Sequence, residues 1–467
     1  MAVVPWSSVL LLCLGFGGLA AFPLDNLWHE TYGIDVTLWS PSHLQLVGGG
    51  ALGTLALFLM LAEAMPSARP TAVGRGILVL TGGTVLVALS AVQAEFDFGV
   101  PQFQALYLPL LIMVAAGIAL VLARIALGPW GAVKVVLVYL ALRGFLALAV
   151  GGVLNHTVPR FPLYLAAALA VEGAAVLVGG TRDRLRFALA AGGLVGTVGL
   201  VGELAFVRLS GWAPVPMPSS MALKVLLLAP VAAVAASVLG AGLGRAFASG
   251  GDGPRVPVAA LAGAGVALVA VLAYPLPRNV GSVDAVVRTE VVGDRAFVEV
   301  SLEPVDAASN ASGFAVTSWQ GGGRVTAFFD EIGPGQYRSE RSVPVTGSWK
   351  TVVSLQRGSE VMATPVYLPA DPSIGAVEVP LVAERRGPFV RNTALLLREA
   401  HPGPAWPAVA AWTGLVGLLG LWAGLMAVTA TRVHGGGGGA PAAYVPVGGT
   451  TDWSTTGNGR SLVRHGR

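Results

Sequence analysis

The sequence is poor in cysteine and in charge, and each shortage excludes a class of protein. The single cysteine, Cys13, rules out an internal disulfide and any cluster of thiolate metal ligands. Charged residues make up only 12% of the chain, whereas a soluble domain carries about a quarter. Hydrophobic residues make up 54%, and apolar runs of about 18 residues or more recur along the chain. Because a run of that length crosses a hydrocarbon core of about 30 Å, the sequence indicates a polytopic α-helical membrane protein.

Apolar runs predict about ten membrane spans, the last of which is separated from the others. The runs lie near residues 4–22, 43–64, 76–93, 103–125, 132–154, 163–180, 187–207, 221–243, 258–275 and 405–430. Arginines concentrate in alternate short loops, so the positive-inside rule predicts cytoplasmic N- and C-termini in a bacterial-type inner membrane. We interpret the first run as a retained span rather than as a signal peptide, because no Lys or Arg precedes it. The net charge of +4 reflects these loops, so we expect the lipid bilayer, and no nucleic acid, as a partner.

The stretch between the last two spans has the composition of a separate β domain. Residues 277–402 are polar and rich in Val, Thr and Ser, and Gly, Pro and Asp divide short alternating segments. That pattern predicts an extracytoplasmic, Ig-like β-sandwich between a helical membrane domain at 1–275 and a final helix at 405–430. The glycine-rich tail at 431–467 is predicted to be disordered. The predicted strands are Asp284–Val292, Arg295–Leu302, Gly313–Trp319, Gly323–Phe329, Gly335–Arg341, Ser348–Gln356 and Val361–Leu368.

A short stretch after the first span collects residue types that bind metals. Asp25 and His29 stand four residues apart, so on a helix they share a face. Ser40 and Pro41 predict the start of the next helix, as its N-cap and first residue, with His43 in the first turn. The turn can thus aim a carboxylate and two imidazoles at one point, which suits copper, zinc or iron. The alternative is that these polar residues only cap and anchor two membrane helices.

Further groups in the predicted outer loops are weaker candidates for metal ligands. Glu95 and Asp97 precede the fourth span, and His156 follows the fifth. Asp35 lies within the stretch from Asp25 to His43, which we call the metal-binding turn. Under the predicted topology these side chains face the same side of the membrane as that turn. Carboxylates in such loops are commonly only solvated, which is the alternative for Glu95 and Asp97.

Four charged residues within the predicted spans need partners, because an isolated charge in the bilayer is costly. Arg143 in the fifth span and Glu172 in the sixth belong to one hairpin, so we expect them to pair. Glu203 and Lys224, near the outer ends of the seventh and eighth spans, are expected to form a second pair. Such pairs either hold helices together or mark a proton or substrate path, and mutual neutralisation favours the structural role.

The metal-binding turn resembles the copper-site segment in the C subunit of the particulate methane and ammonia monooxygenases. That family has an aspartate, then Trp-His one turn later, a second aspartate, and Ser/Thr-x-x-His at the next helix. Here Asp25, Trp28-His29, Asp35 and Ser40-Pro41-Ser42-His43 occur in that order, although the interval between the histidines is one residue longer. The resemblance implies that Asp25, His29 and His43 bind copper near the outer face of the membrane.

Residues 335–368 resemble the end of small extracytoplasmic domains of the FixH and YtkA-like type. The shared pattern is Tyr337, an apolar-proline turn at 343–345, and Gly347-Ser348-Trp349 before the final strands. Those domains accompany copper-handling and cytochrome oxidase assembly systems, which implies a respiratory or other copper-dependent membrane complex as a partner. A cupredoxin site inside the sandwich is excluded, because residues 277–400 contain neither Cys nor His.

Two functions compete for a metal ion at this turn. One is metal handling or metalloenzyme assembly, in which the protein delivers or inserts copper and the sandwich recruits the partner. The other is a copper-dependent membrane oxidoreductase that acts on a small apolar substrate. The first is preferred because the sequence shows no second redox centre, so we expect a metal-handling protein rather than an enzyme. A metal-free scaffold or transporter is the third alternative.

Overall fold

The structure is a computed structural model in which a helical part and a β domain are distinct. The residues that it describes are 5–33, 37–64, 71–212, 219–244, 254–277 and 282–432. The predicted disordered tail therefore falls almost entirely outside the described residues.

Eight helices in the described residues are long and apolar enough to cross a membrane. Three of these are composite, since α3 continues through α4, α6 continues to Val153, and α8 continues through α9. The helices are α1 (Trp6–Tyr32), α2 (Pro41–Ala64), α3 (Ala72–Ser90), α4 (Ala94–Phe98), α5 (Tyr107–Leu127), α6 (Gly131–Leu148), α7 (Leu165–Leu177), α8 (Arg184–Leu194), α9 (Leu200–Ser210), α10 (Ala222–Leu243), α11 (Val258–Ala273), α12 (Asn392–Leu396) and α13 (Ala405–Arg432).

Two of the ten predicted spans form helices that are shorter than the thickness of a bilayer's hydrocarbon core. Helices α7 and α11 lie where the sixth and ninth spans were predicted, with 13 and 16 residues. At about 1.5 Å per residue they extend for roughly 20 and 24 Å, less than a hydrocarbon core of about 30 Å. The membrane character of the chain is therefore supported by eight helices, and ten spans remain a prediction.

The helical part is held together by close contact between small residues, most clearly where α5 meets α10. A Cβ atom at Gly117 would lie 2.7 Å from the Cβ of Ala236. A Cβ atom at Gly240 would lie 2.6 Å from the carbonyl oxygen of Ile118. Both glycines are needed for this approach, as is common between membrane helices, where close backbone packing replaces the hydrophobic effect as the source of association.

The β domain is a ten-stranded antiparallel sheet that folds over on itself around one apolar core. Neighbouring strands follow the order β10-β8-β7-β3-β4-β5-β2-β1-β9, and β6 pairs with β2. All seven predicted strands are present, whereas the three short strands β6, β9 and β10 were missed. The strands are β1 (Asp284–Val292), β2 (Arg295–Glu303), β3 (Ala311–Gln320), β4 (Gly323–Gly333), β5 (Gln336–Ser339), β6 (Val343–Pro344), β7 (Lys350–Arg357), β8 (Glu360–Tyr367), β9 (Glu384–Pro388) and β10 (Val390–Arg391).

The β domain rests on one end of the helical part, which we call the β-domain end. The backbone N–H of Thr157 donates to the carbonyl of Gly321, at 2.9 Å, in the turn between β3 and β4. The Gln104 side chain donates to the carbonyl of Gly358, at 2.9 Å, in the turn between β7 and β8. These contacts place the turns of the sheet directly on the loops that join the helices.

The predicted pairing of Arg143 with Glu172 is wrong. Arg143 instead forms a buried ion pair with Asp97, and Glu172 forms one with Arg124 at 2.7 Å. Glu172 also accepts from the backbone N–H of Ala132, at 3.0 Å, in the first turn of α6. Arg143 lies about 16 Å further along α6, at about 1.5 Å per residue. The prediction placed both residues near the middle of their spans, but α7 begins only after an irregular segment, and Glu172 lies beside the start of α6.

The predicted pairing of Glu203 with Lys224 is also not found in the described residues. Both carboxylate oxygens of Glu203 accept backbone N–H groups, from Leu163 at 3.0 Å and from Tyr164 at 2.5 Å. Backbone groups outside a helix need such acceptors when they are buried among apolar helices. Glu203 therefore satisfies the irregular segment that precedes α7.

Candidate metal centre

The site is built where the last turns of α1 meet the first turn of α2. Asp25 and His29 lie on one face of α1, four residues apart. Ser40 precedes α2 and its hydroxyl accepts from the backbone N–H of His43 at 3.3 Å, with Pro41 as the first helical residue. The predicted N-cap arrangement is thus confirmed. It fixes the direction in which His43 leaves the helix, towards Asp25.

Asp25 lies between the two imidazoles. Its Oδ2 is 3.2 Å from Nε2 of His29, and its Oδ1 is 3.2 Å from Nε2 of His43. One ligand atom from each of these side chains lies within 4.8 Å of the other two. Metal–ligand bonds of about 2.0–2.1 Å at tetrahedral angles separate ligand atoms by roughly 3.4 Å. The three residues are therefore spaced closely enough to share one metal ion.

The outer nitrogens of both rings are held by backbone carbonyls. Nδ1 of His29 donates to the carbonyl of Gly33 at 3.2 Å, and Nδ1 of His43 donates to the carbonyl of Thr37. A carbonyl oxygen can only accept, so Nδ1 carries the proton in each ring. In a neutral imidazole the Nε2 atom then presents a lone pair, as in metal-binding histidines whose other nitrogen donates to a backbone carbonyl.

This tautomer makes the centre of the cluster attractive to a cation. Two Nε2 lone pairs and the carboxylate of Asp25 face one another, and acceptors that face acceptors repel. Oδ1 of Asp25 already accepts a hydrogen bond from the Ser42 hydroxyl at 2.7 Å. Either extra protons on the imidazoles or one shared metal ion would remove the repulsion. Side-chain exposures of 20–27% leave the cluster open to solvent on one side.

Glu95, predicted as a weaker candidate ligand, does not join the cluster. It holds the loop that precedes α2 instead. Its Oε1 accepts from the Thr37 hydroxyl at 2.9 Å and from the backbone N–H of Leu38 at 3.1 Å. The side chain of Gln102 donates to the same oxygen at 2.9 Å. Glu95 thus fixes the loop whose Thr37 carbonyl orients His43. The role could not be predicted from sequence, because Thr37 and Glu95 are far apart in the chain.

The segment that connects the β domain to α13 closes over the end of α1. The backbone N–H of His401 donates to the carbonyl of Tyr32 at 2.9 Å, and the Tyr32 hydroxyl donates to the carbonyl of Pro404 at 2.6 Å. Gly33 has φ of +86°, and a Cβ atom there would lie 2.1 Å from the carbonyl oxygen of Glu399. Only glycine fits this position. The carbonyl that holds His29 is therefore fixed by the β-domain connection.

Searches of protein-family models, curated proteins and solved structures found no match to this chain.

The remaining candidate ligands do not join the cluster, which is the one group of three or more such residues found in the described part of the chain. Asp97 is buried and paired with Arg143. His156 is exposed, and its backbone N–H donates to the carbonyl of Val150 at 2.9 Å. Asp35 lies outside the described residues. The ligand set supported by geometry is therefore the first one that the sequence suggested.

An apolar crevice of about 540 Å³ adjoins the site between α1, α2 and α13. It is lined by Leu24, Leu27 and Trp28 of α1 and by Trp406 of α13. Ser42, which bonds to Asp25, also lies on its wall. The crevice is large enough for a small ligand and offers it mainly apolar surface.

Proposed function

We propose that this protein binds a metal ion, with copper preferred over zinc or iron, through Asp25, His29 and His43, and that it serves in metal handling or metalloenzyme assembly. The observation that carries the proposal is the convergence of two Nε2 atoms on one carboxylate, at 3.2 Å each. In this proposal the β-domain end of the helices is the outer face of the membrane.

Copper is preferred because of the donor atoms. Two imidazoles and one carboxylate form a nitrogen–oxygen set, for which Cu(II) has the highest affinity among the divalent first-row metals. Zinc accepts the same donors, and two histidines with one carboxylate are also used by non-haem iron. Three protein ligands leave at least one position open, so an ion can enter, exchange or meet a second molecule there.

Metal handling is supported by the exposure of the site and by its connection to the β domain. The ligand side chains are 20–27% exposed, which permits an ion to be passed on without unfolding. The end of α1 contacts the segment that leaves the β domain, at His401. A partner that binds the β domain would therefore be held beside the metal. We propose a respiratory or other copper-dependent membrane complex as that partner.

The crevice favours a second candidate function, a copper-dependent membrane oxidoreductase. A space of about 540 Å³ with apolar walls would hold a small apolar substrate next to the metal. Its wall includes Ser42, whose hydroxyl bonds to Asp25 at 2.7 Å. An oxidoreductase should consume such a substrate when supplied with a reductant and oxygen. A handling protein should instead transfer copper to an acceptor and show no turnover.

The deciding experiment measures metal content in full-length protein purified in detergent, by elemental mass spectrometry. Wild type is compared with Asp25→Ala and with the double variant His29→Ala/His43→Ala. The matched control is His156→Ala, which removes an exposed histidine from the same end of the molecule. We expect near-stoichiometric copper in wild type and control, and at least about tenfold less in the other two. Equal metal content in all four proteins would refute this ligand set. No metal in any of them, even after reconstitution with copper, zinc and iron, would leave the metal-free scaffold or transporter.

A further inference from the structure

A third histidine lies beside the candidate metal centre, on the segment that connects the β domain to α13. The segment comprises residues 397–404, between α12 and α13, and residues 400–404 of it are exposed. The backbone N–H of His401 donates to the carbonyl of Tyr32 at 2.9 Å, and the carbonyl of Pro404 accepts from the Tyr32 hydroxyl at 2.6 Å. The segment is thus held through its own backbone atoms, and these contacts do not use the His401 imidazole.

The imidazole of His401 lies against the residue that orients His29. A Cβ atom built at Gly33 would be 3.1 Å from Cδ2 of His401. The carbonyl of the same glycine accepts from Nδ1 of His29 at 3.2 Å. His401 is not one of the three residues whose ligand atoms lie within 4.8 Å of one another. It therefore stands next to the cluster, with one residue that has no side chain between the two rings.

The ring of His401 presents a metal-binding atom on the half that faces Gly33. The one hydrogen bond of this ring, in the part of the chain that the structure describes, joins Nδ1 to the carbonyl of Pro402 at 3.5 Å. A carbonyl can only accept, so Nδ1 is the donor, and a neutral ring then has its lone pair at Nε2. Nε2 is bonded to Cδ2, the atom of this ring nearest to the Gly33 position. His401 thus offers the same donor atom as His29 and His43.

We propose that His401 is the exchange ligand of the metal centre, which binds an incoming ion first and passes it to Asp25, His29 and His43. This inference rests on the metal-handling function proposed above. In the first step a bond forms between the ion and Nε2 of His401, while a bond to the molecule that delivers the ion breaks. In the second step the three ligands of the cluster replace His401. The ion keeps its oxidation state, and release follows the same steps in reverse.

The position of His401 suits this role. Its side chain is exposed, and exposed side chains change rotamer within picoseconds to nanoseconds, so the ring can turn without unfolding of the segment. Imidazole is a preferred ligand of copper, and the three ligands of the cluster leave a coordination position at which an incoming ligand can bind. Because the segment leaves the β domain, a partner held on that domain would deliver the ion on the side where His401 lies. Stepwise exchange keeps the ion coordinated at every stage.

The test measures how fast copper enters and leaves the full-length protein in detergent. Cu(II) is supplied as its glycine complex and removed by EDTA in stopped-flow mixing, followed through the fluorescence of Trp28 and Trp39 in the metal-binding turn. In His401→Ala we expect both rates to fall at least about tenfold, which corresponds to a barrier higher by about 1.4 kcal/mol. Copper content and equilibrium affinity should stay unchanged, because an exchange ligand speeds both directions and is not bound at the end.

Two further variants separate metal binding from a structural role of the ring. The side chains in His401→Asp and His401→Asn have the same shape, but only the carboxylate is a strong oxygen ligand for Cu(II). The rates are measured at about 1 M salt, where the Debye length of about 3 Å suppresses attraction by a distant charge. His401→Asp should recover most of the rate, whereas His401→Asn should stay as slow as His401→Ala. His156→Ala, at an exposed histidine of the β-domain end, is the matched control and should exchange copper like wild type.

The outcomes distinguish this inference from the metal site on which it rests. All variants at His401 keep the backbone N–H that bonds to Tyr32, so their unfolding temperatures should match that of wild type. Wild-type rates in His401→Ala, or equal rates in the Asp and Asn variants, would overturn the exchange ligand and leave the metal site intact. A loss of equilibrium affinity of tenfold or more in His401→Ala would also overturn it, because His401 would then be a permanent ligand. Absence of copper from wild type, or its retention in His29→Ala/His43→Ala, would refute the metal site and the exchange ligand together.

Discussion

Removal of the Glu95 side chain tests whether this residue orients the metal site or binds the metal. In Glu95→Ala the Thr37 hydroxyl, the Leu38 backbone N–H and the Gln102 amide all lose their shared acceptor. Thr37 supplies the carbonyl that holds Nδ1 of His43. The variant keeps Asp25 and both histidines, so it changes only how firmly one ring is held.

The expected loss of metal affinity follows from these contacts. A hydrogen bond to a charged acceptor contributes about 1.5–3 kcal/mol, and two such bonds, from Thr37 and Leu38, hold the loop on Glu95. If the loop is no longer held, metal binding must also fix the position of His43. If this costs a free energy equal to only one of those hydrogen bonds, metal binding weakens by that amount. Since about 1.4 kcal/mol is a factor of ten, we expect copper affinity to fall about 10- to 100-fold. Loss of groups that orient metal ligands has effects of this size in other proteins.

The assay is competition with a chelator of known copper affinity, for wild type, Glu95→Ala, Glu95→Gln and His43→Ala. Glu95→Gln keeps a neutral acceptor, so its loss of affinity should be smaller than that of Glu95→Ala. The matched control is Glu30→Ala, which removes an exposed carboxylate that accepts from the Asn26 amide near the same end of α1. The reasoning is refuted if Glu95→Ala binds copper like wild type. It is equally refuted if Glu95→Gln loses as much as His43→Ala, which would make Glu95 a ligand.

Three further variants test neighbouring contacts. Gly33→Ala places a Cβ atom 2.1 Å from the Glu399 carbonyl at a φ of +86°, so it should lower both the unfolding temperature and the copper content. Asp97→Asn leaves the buried guanidinium of Arg143 uncompensated and should cost about 3–5 kcal/mol in thermal or denaturant unfolding, without changing copper affinity. Ser42→Ala removes the 2.7 Å hydrogen bond to the carboxylate of Asp25, the proposed ligand, and chelator competition should show about tenfold weaker copper binding.

Local signals in the sequence predicted the helical parts of the candidate site correctly. The four-residue spacing of Asp25 and His29, and the Ser40-Pro41 start of α2, depend on neighbours within one or two helical turns. Strand positions in the β domain were predictable for the same reason, because alternation and turn residues are local. The strands that were missed are short: β6 and β10 contain two residues each and β9 contains five. Such segments are too short for a periodic pattern.

Contacts between distant segments were the part that the sequence did not reveal. Arg143 was assigned to Glu172 because both residues were placed near the middle of their spans, yet α7 begins after an irregular stretch whose backbone N–H groups donate to Glu203. Nothing local marks such a stretch as buried among helices. The same limitation applies to Glu95, whose partners lie in a loop from another hairpin.

The contacts at Gly33 connect the metal site and the β domain in one physical argument. The carbonyl of Gly33 orients His29, and the position of Gly33 is set by the Glu399 carbonyl in the connection to α13. Even a small displacement of that connection would change the close contact between Gly33 and the Glu399 carbonyl. It would thereby alter the hydrogen bond that fixes one of the two imidazoles. A docked partner that moves the β domain should therefore change copper affinity, and copper should change the binding of that partner by the same factor.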